Sequence, residues 1–272
     1  MQPLVDFASN AVFWIVAVPV GLLLLPYVLG PLLVRLTQKI RRSPTLLTFD
    51  ADEQPAPAWV QEYLDETEAE LWGCGFEALE HIILPDLLPN VQSIFVLMTR
   101  PESNDAAIAV AMFGTGAQES VRKYHVEFAT DFEDGFELCT NNTGEESAFK
   151  PLPHKRVLQF DFITAPSALW QIHQRAIQEF GTGSAKKPLP DKSQAIDRFR
   201  EALVKEFTDQ VDVGWLWYDE FHDVFRPTWK GACLMVWKLC WPVSTLRRAA
   251  RRKHARRLLR EWDLADLTAS AD

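Results

Sequence analysis

Two groups of side chains in this 272-residue chain have types and spacing suited to chemistry. The first is His125, Glu127, Asp131 and Glu137, in and just before the stretch FATDFEDGFELCTNN at 128–142. Strand side chains alternate between faces with a period of two, so these odd-numbered positions fall together. An imidazole among three carboxylates would suit a cation, a basic partner or metal-assisted catalysis. The second is Asp219, His222 and Asp223, in GWLWYDEFHDVFRPTW at 214–229. On a helix, i, i+3 and i+4 are neighbours, which would make these three half of a metal site. Each group also has a plainer reading. The first is then a solvated outer face, and the second an amphipathic aromatic helix leading to a membrane interface. One histidine with carboxylates seldom makes a transition-metal centre. His81, His154 and His173 are not expected to combine. No G-x-S-x-G, phosphate loop, dinucleotide fingerprint or H-E-x-x-H is present, so neither a catalytic residue nor a cofactor is assigned.

The first group depends on how two strands meet. Tyr124, Val126, Phe128 and Phe132 alternate with Lys123, His125, Glu127 and Asp131. A two-residue turn at Asp134-Gly135 would pair Phe132 with Glu137, an apolar face with a polar one. A three-residue loop, Glu133-Asp134-Gly135, pairs Phe132 with Phe136, Thr130 with Leu138 and Phe128 with Thr140. A one-residue slip turns every side chain over, so the second register is expected. It also puts Gly135 where such a loop needs a left-handed residue. Asp131 then lies opposite Glu137, an unfavourable like-charge pair.

Around this hairpin, hydrophobic periodicity predicts an α+β fold. A helix is expected from Pro57 to about 72. Strands follow over 76–84, 91–99, 106–113, 121–132, 136–141 and 155–162, with separators at 85–86, 101–105 and 114–118. Helices are expected over 166–180 and 191–211, joined by a flexible loop at 181–190. Consecutive strands with short separators predict an antiparallel meander packed with helices.

Both ends of the chain point to a bilayer. Residues 11–34 are 24 positions with no charge, and about 20 apolar residues span a membrane. A cleaved signal peptide would carry its basic stretch before the apolar run. Here only Asp6 precedes it, and Arg35, Lys39, Arg41 and Arg42 follow. By the positive-inside rule the N-terminus faces out and the rest is cytoplasmic, at an inner (plasma) membrane. Cys74, Cys139, Cys233 and Cys240 show neither C-x-x-C pairing nor zinc spacing and fit a reducing compartment. Residues 43–229 hold 14 Lys and Arg against 32 Asp and Glu. That balance argues against nucleic acid as the middle domain's partner.

Near the C-terminus, 231–246 is apolar but short for a span and interrupted by Lys238 and Pro242. It is expected to be interfacial or re-entrant. The basic helix after it should lie on anionic headgroups. The expected membrane-surface residues are Trp229, Trp237, Trp241, Arg247, Arg248, Arg251, Arg252, Lys253, Arg256, Arg257 and Arg260. The organisation expected is a short N-terminus (1–10), a transmembrane helix (11–36), a basic juxtamembrane segment and linker (37–56) and an α+β domain (57–181). A loop (182–190), a helical extension (191–229), the apolar segment (230–246) and the basic helix and tail (247–272) complete it.

The hairpin pattern F-A-T-D-F-E-D-G-F-E-L-C-T-N-N, with LWQIHQRAIQEFG downstream, resembles a pattern in uncharacterised bacterial membrane-anchored proteins over residues 76–181. That resemblance implies no activity. The leading expectation is a single-pass, membrane-anchored cytoplasmic interaction or sensing module without catalysis. Its partners would be the bilayer, anionic headgroups and other membrane proteins. The alternatives are a membrane-bound enzyme or metal-binding protein using the polar sheet face, and an accessory subunit of a membrane complex.

Overall fold

The computed structural model describes residues 2–50, 54, 56–88, 91–114 and 121–267. In chain order the elements are α1 (Gln2–Thr37), β1 (Ile40–Arg41), β2 (Leu47–Thr48), α2 (Ala58–Trp72), β3 (Glu77–Leu88), β4 (Val91–Arg100), β5 (Asp105–Gly114), β6 (Arg122–Asp131), β7 (Glu137–Asn141) and β8 (Lys155–Gln159). Then come α3 (Pro166–Phe180), α4 (Ala195–Asp212), β9 (Leu216–Asp219), β10 (Val224–Pro227), α5 (Trp229–Leu239) and α6 (Val243–Glu261). The chain divides into two compact units. One comprises Met1–Ile40, Glu146–Phe149 and Gln210–Arg247, and the other Arg41–Glu145, Lys150–Asp209 and Arg248–Asp272.

The larger unit is the α+β domain. Its sheet has seven strands in the order β2-β3-β4-β5-β6-β7-β8. Neighbours run antiparallel except β7 and β8, which are parallel. This corrects the expected all-antiparallel meander. A parallel neighbour needs a crossover of a dozen or so residues, and the connection over 142–154 supplies it. The linker is also corrected: within it, Leu47 and Thr48 pair with Ile83 and Ile82 as an edge strand. The separator at 114–118 falls almost wholly outside the described residues, as do 51–53 and 55 of the linker and 268–272 of the tail.

One face of the sheet carries the main core. Val60, Leu64, Thr67 and Leu71 are buried along α2, at helical spacing. Leu169, Ile172 and Ala176 do the same on α3. Phe76, Phe128 and Trp170 interlock at ring distances of 4.9–5.5 Å. Ala255, Leu258, Leu259 and Trp262 of the α6 end join this core, with Trp262 on Phe180. The opposite face carries a smaller cluster of Leu46, Ile82, Leu84, Leu97 and Ala195, capped by Ile196, Phe199 and Leu203 of α4.

In the smaller unit, α1 is long and apolar enough to cross a membrane, and most of the apolar side chains from Phe13 to Leu25 are exposed. Among its described side chains, those of the last turns are covered, chiefly by α5 and also by β10. Arg35 stacks on Trp229 at 5.0 Å and donates to the Pro227 carbonyl at 3.2 Å. Gly30 lies so close to Val236 that a Cβ there would meet its methyls at 2.9–3.0 Å. Tyr27 meets Trp237 edge-on at 6.5 Å and donates to the carbonyls of Cys240 and Trp241 at 3.1 and 2.7 Å. Falling numbers on α1 match rising numbers on α5, so the two helices are antiparallel.

The helix expected over 214–229 is instead the β9–β10 hairpin, part of a three-stranded sheet ordered β1-β10-β9. Gly214, at φ +79, ends α4, and Asp223 takes φ +50 in the turn. The aromatic pair Tyr218 and Phe225 sits opposite across the strands at 5.4 Å, a cross-strand contact that favours sheet over helix.

Candidate functional site

The hairpin places the first group of residues as its register requires. Phe128 pairs with Thr140, Thr130 with Leu138 and Asp131 with Glu137, and Gly135 takes φ +88. Glu127, Asp131, Glu137, Cys139, Asn141 and Lys155 therefore share one face near the end of the sheet. They do not converge on a point. Asn141 Nδ2 donates to Glu127 at 2.8 Å. Lys155 binds Glu137 at 2.8 Å and Glu206 of α4 at 3.1 Å. The Cys139 thiol donates to Glu137 at 3.1 Å. Among the described residues, no set of three or more His, Cys, Asp or Glu could hold a metal ion.

The electrostatics of this face follow from its pairing. Burial raises the Glu127 pKa, against the pull of Lys155 and the Asn141 amide. Burial raises Asp131 too, and Glu137 opposite adds to it. Burial would also raise Glu137, but Lys155, through charge and hydrogen bond, holds it below the ordinary range. Burial works against the charge on Lys155, and its acidic neighbours more than offset this, so its pKa is raised. Burial pushes Cys139 well up, leaving a thiol rather than a nucleophilic thiolate. Half-buried His125 is driven down to about 4 by desolvation, only partly countered by Glu145, so it is neutral at pH 7.

The second group is also spoken for. With β9 and β10 in place of a helix, Asp219 accepts from Arg226 Nε and from His222 Nδ1, both at 2.8 Å. Asp223 accepts separately from the Tyr218 hydroxyl at 2.5 Å. Arg226 and His222 thus share one oxygen of Asp219.

Sequence reasoning missed a further group: the three histidines stay apart from one another, and each finds its own partners. His81 lies 3.1 Å from Glu68 and His154 3.5 Å from Asp209. His173 is completely buried within a polar chain. Its Nε2 is 2.9 Å from Thr130 Oγ1, and its Nδ1 is 2.9 Å from Thr140 Oγ1. Thr130 in turn donates to Asp105 at 2.5 Å, and Lys186 reaches both oxygens of Asp105 at 2.7 Å. Donor counting assigns the tautomer. Thr130 spends its proton on Asp105, so it accepts from His173 Nε2–H, and Thr140 then donates to bare Nδ1. Desolvation holds the His173 pKa down at about 3, against the weaker pull of Asp105. Lys186 also pins the 181–190 loop, pairing with Phe132 as an isolated bridge. A segment expected to be flexible is tied to the sheet.

The signal for this chain was present in the sequence. Thr130 and Thr140 are hydroxyls on the apolar face of their strands, and His173 is imidazole on the apolar face of α3. Buried polar groups need partners, so three of them should meet.

The expected membrane-surface residues divide. Trp229, Trp237 and Trp241 are more than half exposed. Arg247 pairs with Glu146 at 2.9 Å, and Arg248 and Arg252 pair with Asp161 at 2.9 and 2.8 Å. Arg251 is half-buried and also engaged. Arg256 lies over Phe162, and Arg257 contacts Glu261 and His254. Arg260 reaches the Arg256 carbonyl, and Lys253 is exposed. The apolar side of α6 packs into the domain core, and Lys253, Arg256, Arg257 and Arg260 stay exposed, as do Arg247 and Arg248. Lys238 likewise is buried rather than solvated, donating to the Phe149 carbonyl at 2.6 Å beside Glu146.

No family model, curated protein or solved structure matches this chain.

Proposed function

We propose that this protein is a membrane-anchored interaction or sensing module without catalytic activity, held at the inner face of a plasma membrane. The observation that carries this reading is the bare apolar surface of α1. Phe13, Trp14, Ile15, Leu22, Val28 and Leu33 are each more than half exposed. Such a surface is stable in lipid and not in water. The reading gains from Arg35 in the last turn of α1 and from Lys39, Arg41 and Arg42 after it, a basic run that favours a cytoplasmic side for the following chain. It gains also from the sheet domain, where Glu137, Lys155 and Glu206 pair with one another, and Lys186, Asp105, Thr130 and His173 do the same.

The test is topology. Ala185, exposed in the pinned loop, is changed to Cys in full-length protein whose four native cysteines are alanine. Intact and lysed cells are treated with a membrane-impermeant maleimide. Labelling only after lysis, with the protein pelleting with membranes through a carbonate wash, is the expected result. Labelling of intact cells reverses the orientation, and release by carbonate removes the anchor.

A further inference from the structure

We infer that α1 leaves the hydrocarbon at Tyr27 rather than at Arg35, so that residues 7–26 are the span and α5 stands in the headgroup layer. This rests on the reading of α1 as a membrane anchor and fixes its register in the lipid.

Length gives the first argument. Between Asp6 and Arg35 the helix is uncharged, and at 1.5 Å per residue that stretch is about 42 Å long. The hydrocarbon is about 30 Å thick. Between Asp6 and Tyr27 the length is about 30 Å. The surplus is the final turns, and these are the ones α5 covers.

Backbone chemistry gives the second argument. Lipid-exposed irregular backbone does not occur inside the hydrocarbon, because its polar groups have no partner there. At the level of Tyr27 the chain is irregular twice. The α5–α6 junction lies there, with the Cys240 and Trp241 carbonyls taken by the Tyr27 hydroxyl. The non-helical segment Glu146–Phe149 is tied to the same end of α5 through Lys238. Glu146 and Arg247 add a charged pair, and the Arg247 side chain is 48% exposed. Placing Arg35 at the hydrocarbon edge would sink all of this by eight residues of helix, about 12 Å.

Aromatic placement gives the third. Trp and Tyr concentrate at the boundary between tails and headgroups. Tyr27 meets the Trp237 ring at this level and donates to the Trp241 carbonyl, and both tryptophans are mostly exposed. The opposing observation is the exposed stripe of Val28, Leu29, Leu32, Leu33 and Leu36 beyond Tyr27. The first four lie within about 9 Å of Tyr27 along the axis, the depth over which interfacial helices bury an apolar face, and Leu36 follows Arg35 at the polar end of the helix.

The test places one nitroxide at a time at Val18, Leu22, Leu29 or Leu33, by cysteine substitution in the full-length, otherwise cysteine-free protein. The protein is reconstituted in mixed phosphatidylcholine and phosphatidylglycerol vesicles. Collision with oxygen, which concentrates in lipid, is compared with collision with a water-soluble nickel chelate. Oxygen should dominate at Val18 and Leu22 and nickel at Leu29 and Leu33, putting the crossover near residue 27. If Leu29 and Leu33 are as shielded from nickel as Val18, the boundary lies about 12 Å further along and the register is overturned while the anchor stands. Nickel access at Val18 would overturn the anchor itself.

Discussion

The two faces of the seven-stranded sheet bury polar groups in opposite ways. On the α3 face, His173, Thr130 and Thr140 are fully buried and uncharged, and ionic character enters only at the Asp105–Lys186 end. On the α4 face, Glu137, Lys155 and Glu206 form a partly exposed ionic group, with Asp131 facing Glu137 across the strands. Neutral hydrogen bonds in a dry core contribute by satisfying donors and acceptors that have no alternative. Ion pairs near the surface gain little net energy, because water and salt compete for the same charges. The α3 face should therefore fix the fold, and the α4 face should tune it with pH and salt.

The largest expected effect follows from emptying the α3 face. His173→Ala strands the Thr130 and Thr140 hydroxyls and leaves a cavity against Phe128 and Trp170. The combined loss should be about 4 kcal/mol, read as a lowered thermal midpoint of the full-length protein in detergent. His173→Gln, which keeps a donor and an acceptor, should recover part of it. The pH dependence has a definite sign. A histidine whose folded pKa lies near 3, below its ordinary 6.5 or so, contributes fully above the ordinary value. Its contribution is lost as pH falls from there toward 3. Wild-type stability should fall through that window, and His173→Gln should fall less. A loss under about 1 kcal/mol for His173→Ala would equate the two faces and break the comparison.

Removing the central cation of the α4 face should cost less. Lys155→Met leaves Glu137 and Glu206 without their shared partner. All three groups keep some solvent contact, so the loss should be about 1–2 kcal/mol rather than the full value of a broken buried pair. Adding Glu137→Gln should restore much of it. Glu137 is held below the ordinary carboxylate pKa, so its share of stability is present above the ordinary value and is lost as pH falls through the folded one. The deficit of Lys155→Met should thus shrink in acid. It should also shrink in concentrated salt, where screening acts on the ionic face and spares the α3 chain.

The legibility of the two faces differs for a physical reason. The α4 face is set by strand register, and register follows from matching apolar partners across a hairpin. Phe128, Thr130, Phe132 and Gly135 settled it locally. The α3 face joins strands to a helix more than 30 residues away, and no local period encodes which helix covers which strands. The parallel β8 was hidden in the same way, since a run of five alternating residues does not say in which direction it will pair. At 214–229, i, i+3, i+4 spacing and cross-strand spacing fit the same aromatics. Gly214 and the tight turn at Asp223 decided for the hairpin. The end of α6 was obscured by composition, because so many arginines conceal that Ala255, Leu258, Leu259 and Trp262 lie on one side.

The smallest effect sharpens the comparison because its sign is reversed. Asp131 faces Glu137 directly, and burial together with that carboxylate raises its pKa. A carboxylate with a raised folded pKa favours the fold while protonated, and opposes it as pH rises through that value. Lys187, Lys155 and Lys205 offset part of the repulsion, and the residue keeps access to solvent that screens it, so the net penalty at neutral pH is about a few tenths of a kcal/mol. Asp131→Asn should therefore stabilise the domain slightly at pH 7 and 8, and the gain should disappear as pH falls through the raised pKa and the wild-type carboxyl takes up its own proton. The comparison partner is Thr130→Val, one residue away on the α3 face. It removes the hydroxyl linking His173 to Asp105 and should destabilise at every pH where the domain is folded. Opposite signs at adjacent residues would follow directly from the alternation of the strand. A loss of stability in Asp131→Asn would mean that its lysine neighbours outweigh Glu137 and that the α4 face is a net stabilising ion network.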